Sequence, residues 1–483
     1  MKHIQYNLVG SMESLEVRLQ LSGASDLVGS TSTLSTPAYA VAAVTVGSKG
    51  LFAHDTLFSH DQIVDVYDSK TGQWSTTSFP QDFRCATAAR AGTKAIFAGS
   101  SADARDTNLV DVFDSVSGTW AVNKVPRSGS IVQSASIGDQ AFFLGRDQFS
   151  SGYVLSYNAK TSKWGELPFP QYNYLDNIVA IGTKVIFSFM YDVPTVYDVM
   201  TRRWSLLPMT STSPHRIGGL SVGTKGFYLD GHTLNIFDAV QGTWSVGPSI
   251  QAVNARTSVG SKVIFAGIGQ YKNFPEPDYP TVVSVYNEAT GSLSFNALSV
   301  ARGAISATAV GNQAFFSGGI IQAMLLYGPA VEKQILDTVD VFTDQHPSAV
   351  LAGGVAGNIS HRDHVTVINS GDADLAAGYT VQLYASTDRT LSSAILVGSM
   401  AVSSPLAAGA SSTFNFRTKI PANTPAGSYH LLAAVRDAAG NITPIAAEDA
   451  IFRVRGSKTA ASPSVTHVPS TSTHAAWSRV QIV

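Results

Sequence analysis

Short apolar runs alternate with tight polar turns along most of this chain, and the same order of runs returns repeatedly. In the first copy, apolar runs at residues 42–46 and 50–53 flank the turn Gly47-Ser48-Lys49, and an aromatic run at residues 63–67 leads through a second turn to Trp74. Glycine and small polar residues suit two-residue hairpin turns, while alternating β-branched and aromatic residues are typical of strands. The pattern therefore predicts strands throughout, with no amphipathic helix of ordinary length.

The repeated unit can be counted by its tryptophans and by its turns. Five of the six tryptophans follow an aromatic residue and Asp or Asn, at intervals of 40 to 46 residues. The glycine turn occurs seven times, at residues 47, 92, 138, 182, 223, 260 and 311. The aromatic run also occurs seven times, but the Trp strand occurs only six times, with Leu293 in the sixth copy. We expect a strand at residues 27–34 to supply the missing one and to close a ring of seven four-stranded sheets.

This unit resembles the kelch repeat, in which hairpin strands end in a glycine-containing element and are followed by an aromatic residue, Asp and Trp. The paired glycines of that repeat survive at Gly318-Gly319 and are altered elsewhere, for example to Ala98-Gly99 and Leu144-Gly145. The resemblance implies a seven-bladed kelch-like β-propeller over residues 25–346, closed by an N-terminal strand. Because such propellers host unrelated activities, the repeat predicts packing between sheets and no particular function.

A second unit occupies residues 347–456, where the repeat is lost. About seven short strands are predicted there, separated by turns such as those at residues 369–372 and 438–441, and this spacing predicts an immunoglobulin-like sandwich. The runs at residues 365–374 and 425–431 resemble the CARDB-type adhesion module of bacterial surface proteins. The predicted fold class is therefore all-β, with a seven-bladed kelch-like β-propeller followed by an immunoglobulin-like β-sandwich.

The two ends of the chain differ from both units. Residues 15–23, Leu-Glu-Val-Arg-Leu-Gln-Leu-Ser-Gly, resemble the Leu-Glu-Pro-Arg segment near the start of many exported bacterial proteins, with Val17 in place of Pro. We therefore expect residues 1–24 to be an export-type segment and the protein to be extracellular or at the cell surface. Residues 457–483 are rich in Ser and Thr, and we expect this tail to lack a packed core of its own.

Composition excludes some partners. The net charge is −2, only 14% of residues are charged and no basic stripe is present, so nucleic acid is not an expected partner. No apolar run reaches the length of a membrane span, so no transmembrane segment is predicted. The single cysteine, Cys85, allows no intramolecular disulfide, and we expect a buried structural thiol.

A kelch-like ring followed by an immunoglobulin-like domain also resembles galactose oxidase, whose copper site needs two His, two Tyr and a Cys joined to one Tyr. Cys85 lies where the resemblance places that Cys. However, residues 126–130 contain no Tyr, and residues 301–305 contain no Tyr-His pair. We therefore predict that this copper site is absent, and we predict no cofactor.

Two other groups of side chains have a cation-binding composition. They are His54-Asp55 with His60-Asp61 in the first repeat, and Asp372, Asp374 and Asp388 in the second unit. Their alternatives are a solvated loop and turn-forming Asp residues, respectively, and we favour these because nothing in the spacing fixes a coordination geometry. No metal site is predicted.

Two sets of residues are candidates for binding. Arg84, Arg256 and Arg302 open several repeats, where they either line a central channel and bind an anion or donate structural hydrogen bonds. Two neighbouring repeats have long loops, at residues 269–280 and 320–337. Their aromatic candidates are Tyr271, Phe274, Tyr279 and Tyr327. Long loops on a rigid scaffold often bind ligands, and the alternative is that they cover the propeller or pack on the sandwich.

These observations predict a non-enzymatic bacterial surface or secreted protein that binds a protein or carbohydrate ligand. The propeller would recognise the ligand, and the sandwich would act as an adhesion module or spacer. The alternative is a kelch-like, sugar-handling enzyme whose active site has no recognised motif. No Ser-His-Asp set or paired carboxylates are indicated by spacing, so the enzyme has no predicted catalytic residues.

Overall fold

The structure, a computed structural model, is built from antiparallel β-strands. It describes residues 27–38, 40–55, 63–81, 83–101, 107–147, 151–168, 175–189, 193–207, 219–251, 255–267, 281–324, 331–356, 363–455 and 464–468. None of these residues is in a helix, which confirms the all-β prediction. The described part of the chain accordingly has no helix that is suited in length and hydropathy to crossing a membrane.

The first strands in the chain form the following sheets. After β1 (Leu27–Thr33), the first sheet contains β2 (Ala40–Val46), β3 (Lys49–Asp55), β4 (Ile63–Asp68) and β5 (Gln73–Ser78). The second contains β6 (Phe83–Ala91), β7 (Lys94–Ser101), β8 (Thr107–Asp114) and the start of β9 (Thr119–Ile137). The third contains the end of β9 with β10 (Gln140–Arg146), β11 (Gly152–Asn158) and β12 (Lys163–Leu167). Because β9 runs through both units, the second and third sheets form one seven-stranded sheet.

Four further sheets complete the repeat region. The fourth contains β13 (Leu175–Ile181), β14 (Lys184–Phe189), β15 (Thr195–Asp198) and β16 (Arg203–Leu206). The fifth contains β17 (Gly219–Val222), β18 (Lys225–Asp230), β19 (Thr233–Asp238) and β20 (Thr243–Ser249). The sixth contains β21 (Ala255–Val259), β22 (Lys262–Ala266), β23 (Val282–Asn287) and β24 (Ser292–Ala297). The seventh contains β25 (Ser306–Val310), β26 (Gln313–Ser317), the later strand β29 (Thr338–Asp344) and β1, and a separate hairpin of β27 (Ile320–Met324) and β28 (Val331–Ile335) precedes β29.

The strand predicted near the N-terminus is present, and its partner is the one expected. β1 pairs with β29 over its whole length, from Leu27 opposite Asp344 to Thr33 opposite Thr338. Leu27 is buried in the same cluster as Phe342. The seventh sheet therefore joins the first and last strands of the repeat region.

The repeated residues have local structural roles. In the first sheet Tyr67 is directly opposite Trp74, and in the five sheets that have this Trp the two rings are 4.9 to 5.2 Å apart. The Asp after the aromatic residue makes the next turn, since Asp68 Oδ1 accepts the Lys70 N–H. The seven turn glycines all have φ between 52° and 59°, which a residue with a Cβ adopts at a cost. The repeat thus encodes hairpins and aromatic packing.

The first strands of successive sheets lie side by side. Each contacts the next in the order β2, β6, β9, β13, β17, β21 and β25, and β25 also contacts β2. These strands are rich in Ala, Ser and Thr, and their hydroxyls link neighbouring sheets, as in the 2.7 Å contact between Thr87 Oγ1 and Ser134 Oγ. Small side chains allow this close approach of backbones.

Each sheet has two ends, which we call the turn end and the loop end. The turn end carries the glycine hairpin between the first and second strands. The loop end carries the connection between the second and third strands and receives the linker from the preceding sheet. Every candidate site in the repeat region can be located by these two ends.

The second unit is a two-layer β-sandwich. Its strands are β30 (Leu351–Ala356), β31 (Asp363–Asn369), β32 (Tyr379–Ser386), β33 (Ile395–Val402), β34 (Ser411–Phe416), β35 (Gly427–Arg436), β36 (Ile442–Arg455) and β37 (Ser464–Val468). One sheet has the order β30-β31-β34, and the other has the order β33-β32-β35-β36-β37. Alternate side chains from both sheets fill a shared core that includes Val365, Val381, Leu383 and Phe452.

One segment of the C-terminal tail is described by the structure. Within residues 457–483, residues 464–468 form β37, which pairs with β36 from Arg455 opposite Ser464 to Ile451 opposite Val468. The edge of β36 offers unpaired backbone N–H and C=O groups, and a short Val-containing segment satisfies them. The tail therefore contributes an edge strand to the sandwich.

The sandwich packs on the turn ends of the repeat region. Gly223 N donates to Ser370 Oγ at 3.3 Å, and Gln241 Nε2 donates to the Arg389 carbonyl at 2.8 Å. Val240 packs against Leu432 of the sandwich. Close approaches to the sandwich occur at the turn ends of the second to sixth sheets. The loop ends of those sheets therefore lie away from the sandwich.

Candidate functional site

The aromatic loop candidates are not placed by this structure. Tyr271, Phe274, Tyr279 and Tyr327 lie outside the described residues. The sequence predicts a long loop at residues 320–337, and the structure corrects this prediction. Most of the described part of this segment is the hairpin of β27 and β28. The β-branched residues of the two strands, Ile320, Ile321, Val331 and Ile335, suit paired strands.

The three candidate arginines differ in their surroundings. Arg302 is 1% exposed, and its guanidinium donates to the carbonyls of Gly318, Val300 and Phe316 and to Asp340 Oδ2. Arg302 thus has the hydrogen-bonding role that was the alternative to binding an anion.

The other two arginines lie on first strands. Arg256 is on β21 and its Nε donates to the Gly219 carbonyl of the fifth sheet at 3.3 Å, while burial lowers the pKa of its guanidinium. Arg84 is on β6, opposite Ser100. An anion-binding role for these two stays a prediction.

Cys85 is a buried thiol in an apolar cluster. Its side chain packs with Val66 and Phe97, and its sulfur lies 3.6 Å from the Thr87 carbonyl. The described residues contain no group of three or more His, Cys, Asp or Glu side chains arranged for a metal ion.

The three candidate carboxylates of the sandwich accept hydrogen bonds from other residues of the chain. Asp372 Oδ1 accepts the Ser348 N–H at 2.6 Å, and Asp374 Oδ1 accepts the Ala408 N–H at 2.8 Å. Asp388 Oδ1 accepts hydrogen bonds from Ser393 and Thr390, and these hold the pKa of its carboxyl far below the usual range. Asp388 therefore organises its own turn, which is the alternative to calcium binding, whereas Asp372 and Asp374 join segments that are distant in the sequence.

A recurrent buried position, polar in six of the seven sheets, lies two residues before the aromatic residue of each third strand. It is occupied by Asp65, Asp111, Leu155, Thr195, Asn235, Ser284 and Asp340 in sheets one to seven. Where it is polar, it often receives the incoming linker, since Ser35 N donates to Asp65 Oδ2 and Ser299 N donates to Asp340 Oδ1, both at 2.8 Å. The sequence shows Val-Asp-Val at residues 64–66 and 110–112, but this run alone does not predict that role.

In the first sheet, this position belongs to a hydroxyl–imidazole–carboxylate set at the loop end. His54 Nε2 lies 2.8 Å from Asp65 Oδ2, and His54 Nδ1 lies 3.0 Å from Thr36 Oγ1. His54 and Asp65 are buried, whereas Thr36 is only partly buried. The imidazole approaches the carboxylate off the ideal hydrogen-bond direction, so this is a close polar contact without good hydrogen-bond geometry.

The local fold explains how these three residues meet. His54 is the penultimate residue of β3, Asp65 lies near the start of β4, and Phe52, two residues before His54, is opposite Asp65. Thr36 is on the linker that joins β1 to β2. Burial acts to raise the pKa of Asp65, but the contact with His54 and the N–H of Ser35 outweigh it, so this pKa lies below its usual value.

The base of the β27–β28 hairpin braces the same linker. Leu34 N donates to the Asp337 carbonyl at 2.7 Å, and Ala38 N donates to the Leu336 carbonyl at 3.1 Å. These bonds fix the backbone on both sides of Thr36. The set is therefore held by the first sheet on one side and by the seventh on the other.

A second polar cluster lies at the loop end of the third sheet. Arg127 donates to Asp147 Oδ2 at 2.7 Å and to Glu166 Oε1 at 2.9 Å, and its guanidinium lies 4.9 Å from the centre of the Tyr153 ring. The hydrogen bond to Asp147 is the main cause of a raised Arg127 pKa. Both carboxylates already engage this arginine, so the cluster is a fixed polar surface feature.

A small cavity lies between the repeat region and the sandwich. Thr183, Lys184 and Val240 line it from the turn ends, and Val355 and Ala446 line it from the sandwich. It has room for about one water molecule. It is thus a packing gap in the interface.

Comparison with known proteins identifies one part of the chain. The CARDB family model matches residues 352–449, which span β30 to most of β36. No curated protein matches the chain. The region following the repeats therefore contains a CARDB domain, with the immunoglobulin-like fold of its two packed sheets.

Proposed function

We propose that the seven sheets form a seven-bladed, kelch-like β-propeller. The cyclic contacts of the first strands and the pairing of β1 with β29 support this arrangement. Removal of residues 1–33 would then leave the seventh sheet without its outer strand and lower the thermal midpoint, whereas removal of residues 1–24 would not. Equal midpoints for the two truncated chains would contradict closure by β1.

We further propose that the chain is a bacterial surface or secreted protein whose propeller recognises a protein or a glycan. The observation that carries this is the position of the sandwich, which packs on turn ends and leaves the loop ends on the opposite side. Loops on a rigid scaffold are frequent binding sites. The loop ends are therefore the proposed binding face.

The proposed location is extracellular or at the cell surface, with the sandwich as adhesion module or spacer. The CARDB match and the export-type residues 15–23 support this location. The few charged residues and the Ser- and Thr-rich tail are compatible with it. Fractionation of the native host, with antibody against the sandwich, tests it directly, and a purely cytoplasmic signal would refute it.

Binding is tested with the purified full chain on glycan and protein arrays. The first variant deletes residues 269–280, which include three of the aromatic candidates, and the control variant is Leu206→Ser on an outer strand, where the side chain is 64% exposed. We expect the deletion to abolish a signal that the control retains, with both variants folded. Absence of any signal, or a signal that survives the deletion, would refute the proposed loop site.

A further inference from the structure

The set of Thr36, His54 and Asp65 differs from the contacts that the equivalent carboxylate makes in two other sheets. The same carboxylate position has Gln81 as partner in the second sheet, where Gln81 Nε2 donates to Asp111 Oδ1, and Arg302 as partner in the seventh sheet. An amide or a guanidinium therefore suffices to satisfy a buried carboxylate here. Neither of those partners accepts a proton at neutral pH, whereas an imidazole does.

His54 is also a departure from the repeat. Aligned through their third-strand partners, the second, third, sixth and seventh sheets have glycine at this position, namely Gly99, Gly145, Gly267 and Gly318. The first sheet instead carries an imidazole that contacts the carboxylate and a linker hydroxyl through its two ring nitrogens.

These contacts assign proton positions. Asp65 Oδ2 accepts from Ser35 N and faces His54 Nε2, so the favoured neutral tautomer has its proton on Nε2. His54 Nδ1 then carries a lone pair and accepts the proton of the Thr36 hydroxyl. This is the arrangement of a hydroxyl nucleophile with a general base and an orienting carboxylate.

We propose that Thr36 is a nucleophile for acyl transfer, with His54 as general base and Asp65 as its positioning residue, and that its substrates are carboxylic esters reaching the loop end of the first sheet. Thr36 Oγ1 forms a bond to the acyl carbon while His54 Nδ1 takes the hydroxyl proton. The bond between that carbon and the ester oxygen breaks, and His54 returns the proton to the departing alcohol. Water then attacks the acyl-threonine with the same base, which releases the acid and restores the hydroxyl.

Accessibility agrees with this assignment. Thr36 is partly buried and its neighbours Ser35 and Pro37 are exposed, whereas His54 and Asp65 are shielded behind them. Burial shields the His54 base from solvent, whereas the partly exposed Thr36 hydroxyl can contact a substrate. The proposal rests on this geometry alone and does not depend on the ligand proposed for the propeller.

The test uses the full chain with p-nitrophenyl acetate and a fluorophosphonate probe, followed by intact-mass measurement and peptide mapping. We expect one adduct, on Thr36, and an ester turnover that falls at least tenfold in Thr36→Ala and in His54→Gln. Thr36→Ser should keep both signals, and Thr71→Ala, which removes an exposed hydroxyl elsewhere in the first sheet, should change neither.

Two results would overturn the proposal. The first is a wild-type chain that forms no adduct on Thr36 with either reagent. The second is labelling that persists in a folded His54→Gln variant at the wild-type rate. If His54→Gln does not fold, Thr36→Ala decides the question, because the Thr36 side chain is partly exposed and its removal leaves the contact between His54 and Asp65 in place.

Discussion

Asp111 offers a sharp test of how the buried polar position works. Asp111 is fully buried. Gln81 Nε2 donates to its Oδ1 at 2.7 Å, and its Oδ2 has no hydrogen-bond partner. Burial is the main cause that raises the pKa of Asp111 to about 6, against an ordinary value of 3.8. Asp111→Asn keeps an acceptor for Gln81 and removes the ionisation.

The size and sign of the effect follow from these pKa values. Below about pH 4 the carboxyl of Asp111 is protonated in both the folded and unfolded states and has no effect. Between its unfolded and folded pKa the folded state retains more protons, so stability falls as pH rises, and the loss is complete above the folded pKa. Since one pKa unit corresponds to about 1.4 kcal/mol, the folded state loses about 3 kcal/mol.

The assay is urea unfolding followed by tryptophan fluorescence, because Trp120 lies in the same sheet. We expect Asp111→Asn to match the wild type near about pH 4 and to exceed its stability by about 3 kcal/mol near about pH 8. The control is Asp114→Asn, since the Val116 N–H and Lys94 lower the pKa of Asp114 and its stabilisation is instead lost as pH falls. An Asp111→Asn variant whose unfolding midpoint keeps the wild-type pH dependence would show that ionisation of Asp111 does not destabilise the folded state.

Three further substitutions probe the packing. Gly354→Val should separate the sandwich from the repeat region, because a Cβ at Gly354 would lie 2.3 Å from Thr183 Oγ1, and two unfolding transitions in place of one would show it. Lys262→Met should lower the free energy of unfolding by about 3–5 kcal/mol, since it leaves Asp344 buried without its 2.7 Å partner, and a wild-type urea midpoint would contradict this. Phe97→Ala should cost about 3–5 kcal/mol by leaving a cavity between the first two sheets, which calorimetry can measure against the wild type.

Much of the fold follows from local chemistry that a sequence displays. Glycine turns, aromatic residues opposite Trp and period-two alternation are short-range signals, and each is found in the structure. The partner of β1 was predictable for a different reason, because a repeat with one strand too few needs a strand from elsewhere. The sequence does not predict the continuous strand β9. Residues 121–130 are equally compatible with a connection that contains a turn.

The candidate site was harder to predict because its residues come together only through tertiary contacts. Thr36, His54 and Asp65 are on three different segments, and only the linker path over the first sheet brings the hydroxyl to the imidazole. One signal was available in the sequence. His54 stands where most repeats have glycine, and this difference becomes visible only when the repeats are aligned by strand register.

The docking of the sandwich constrains where function resides. An interface that engages the turn ends of five sheets fixes one orientation of the two units, and at the sixth sheet Asp372 of the sandwich lies beside the buried Lys262–Asp344 pair. The turn ends have the regular sequence of the repeat because they must all meet that interface or make the same hairpin. The loop ends are free of this requirement, and the repeats differ there, at His54, at Arg127 and in the β27–β28 hairpin. If the sandwich holds the protein at a surface, as proposed, these variable loop ends are the part presented away from it.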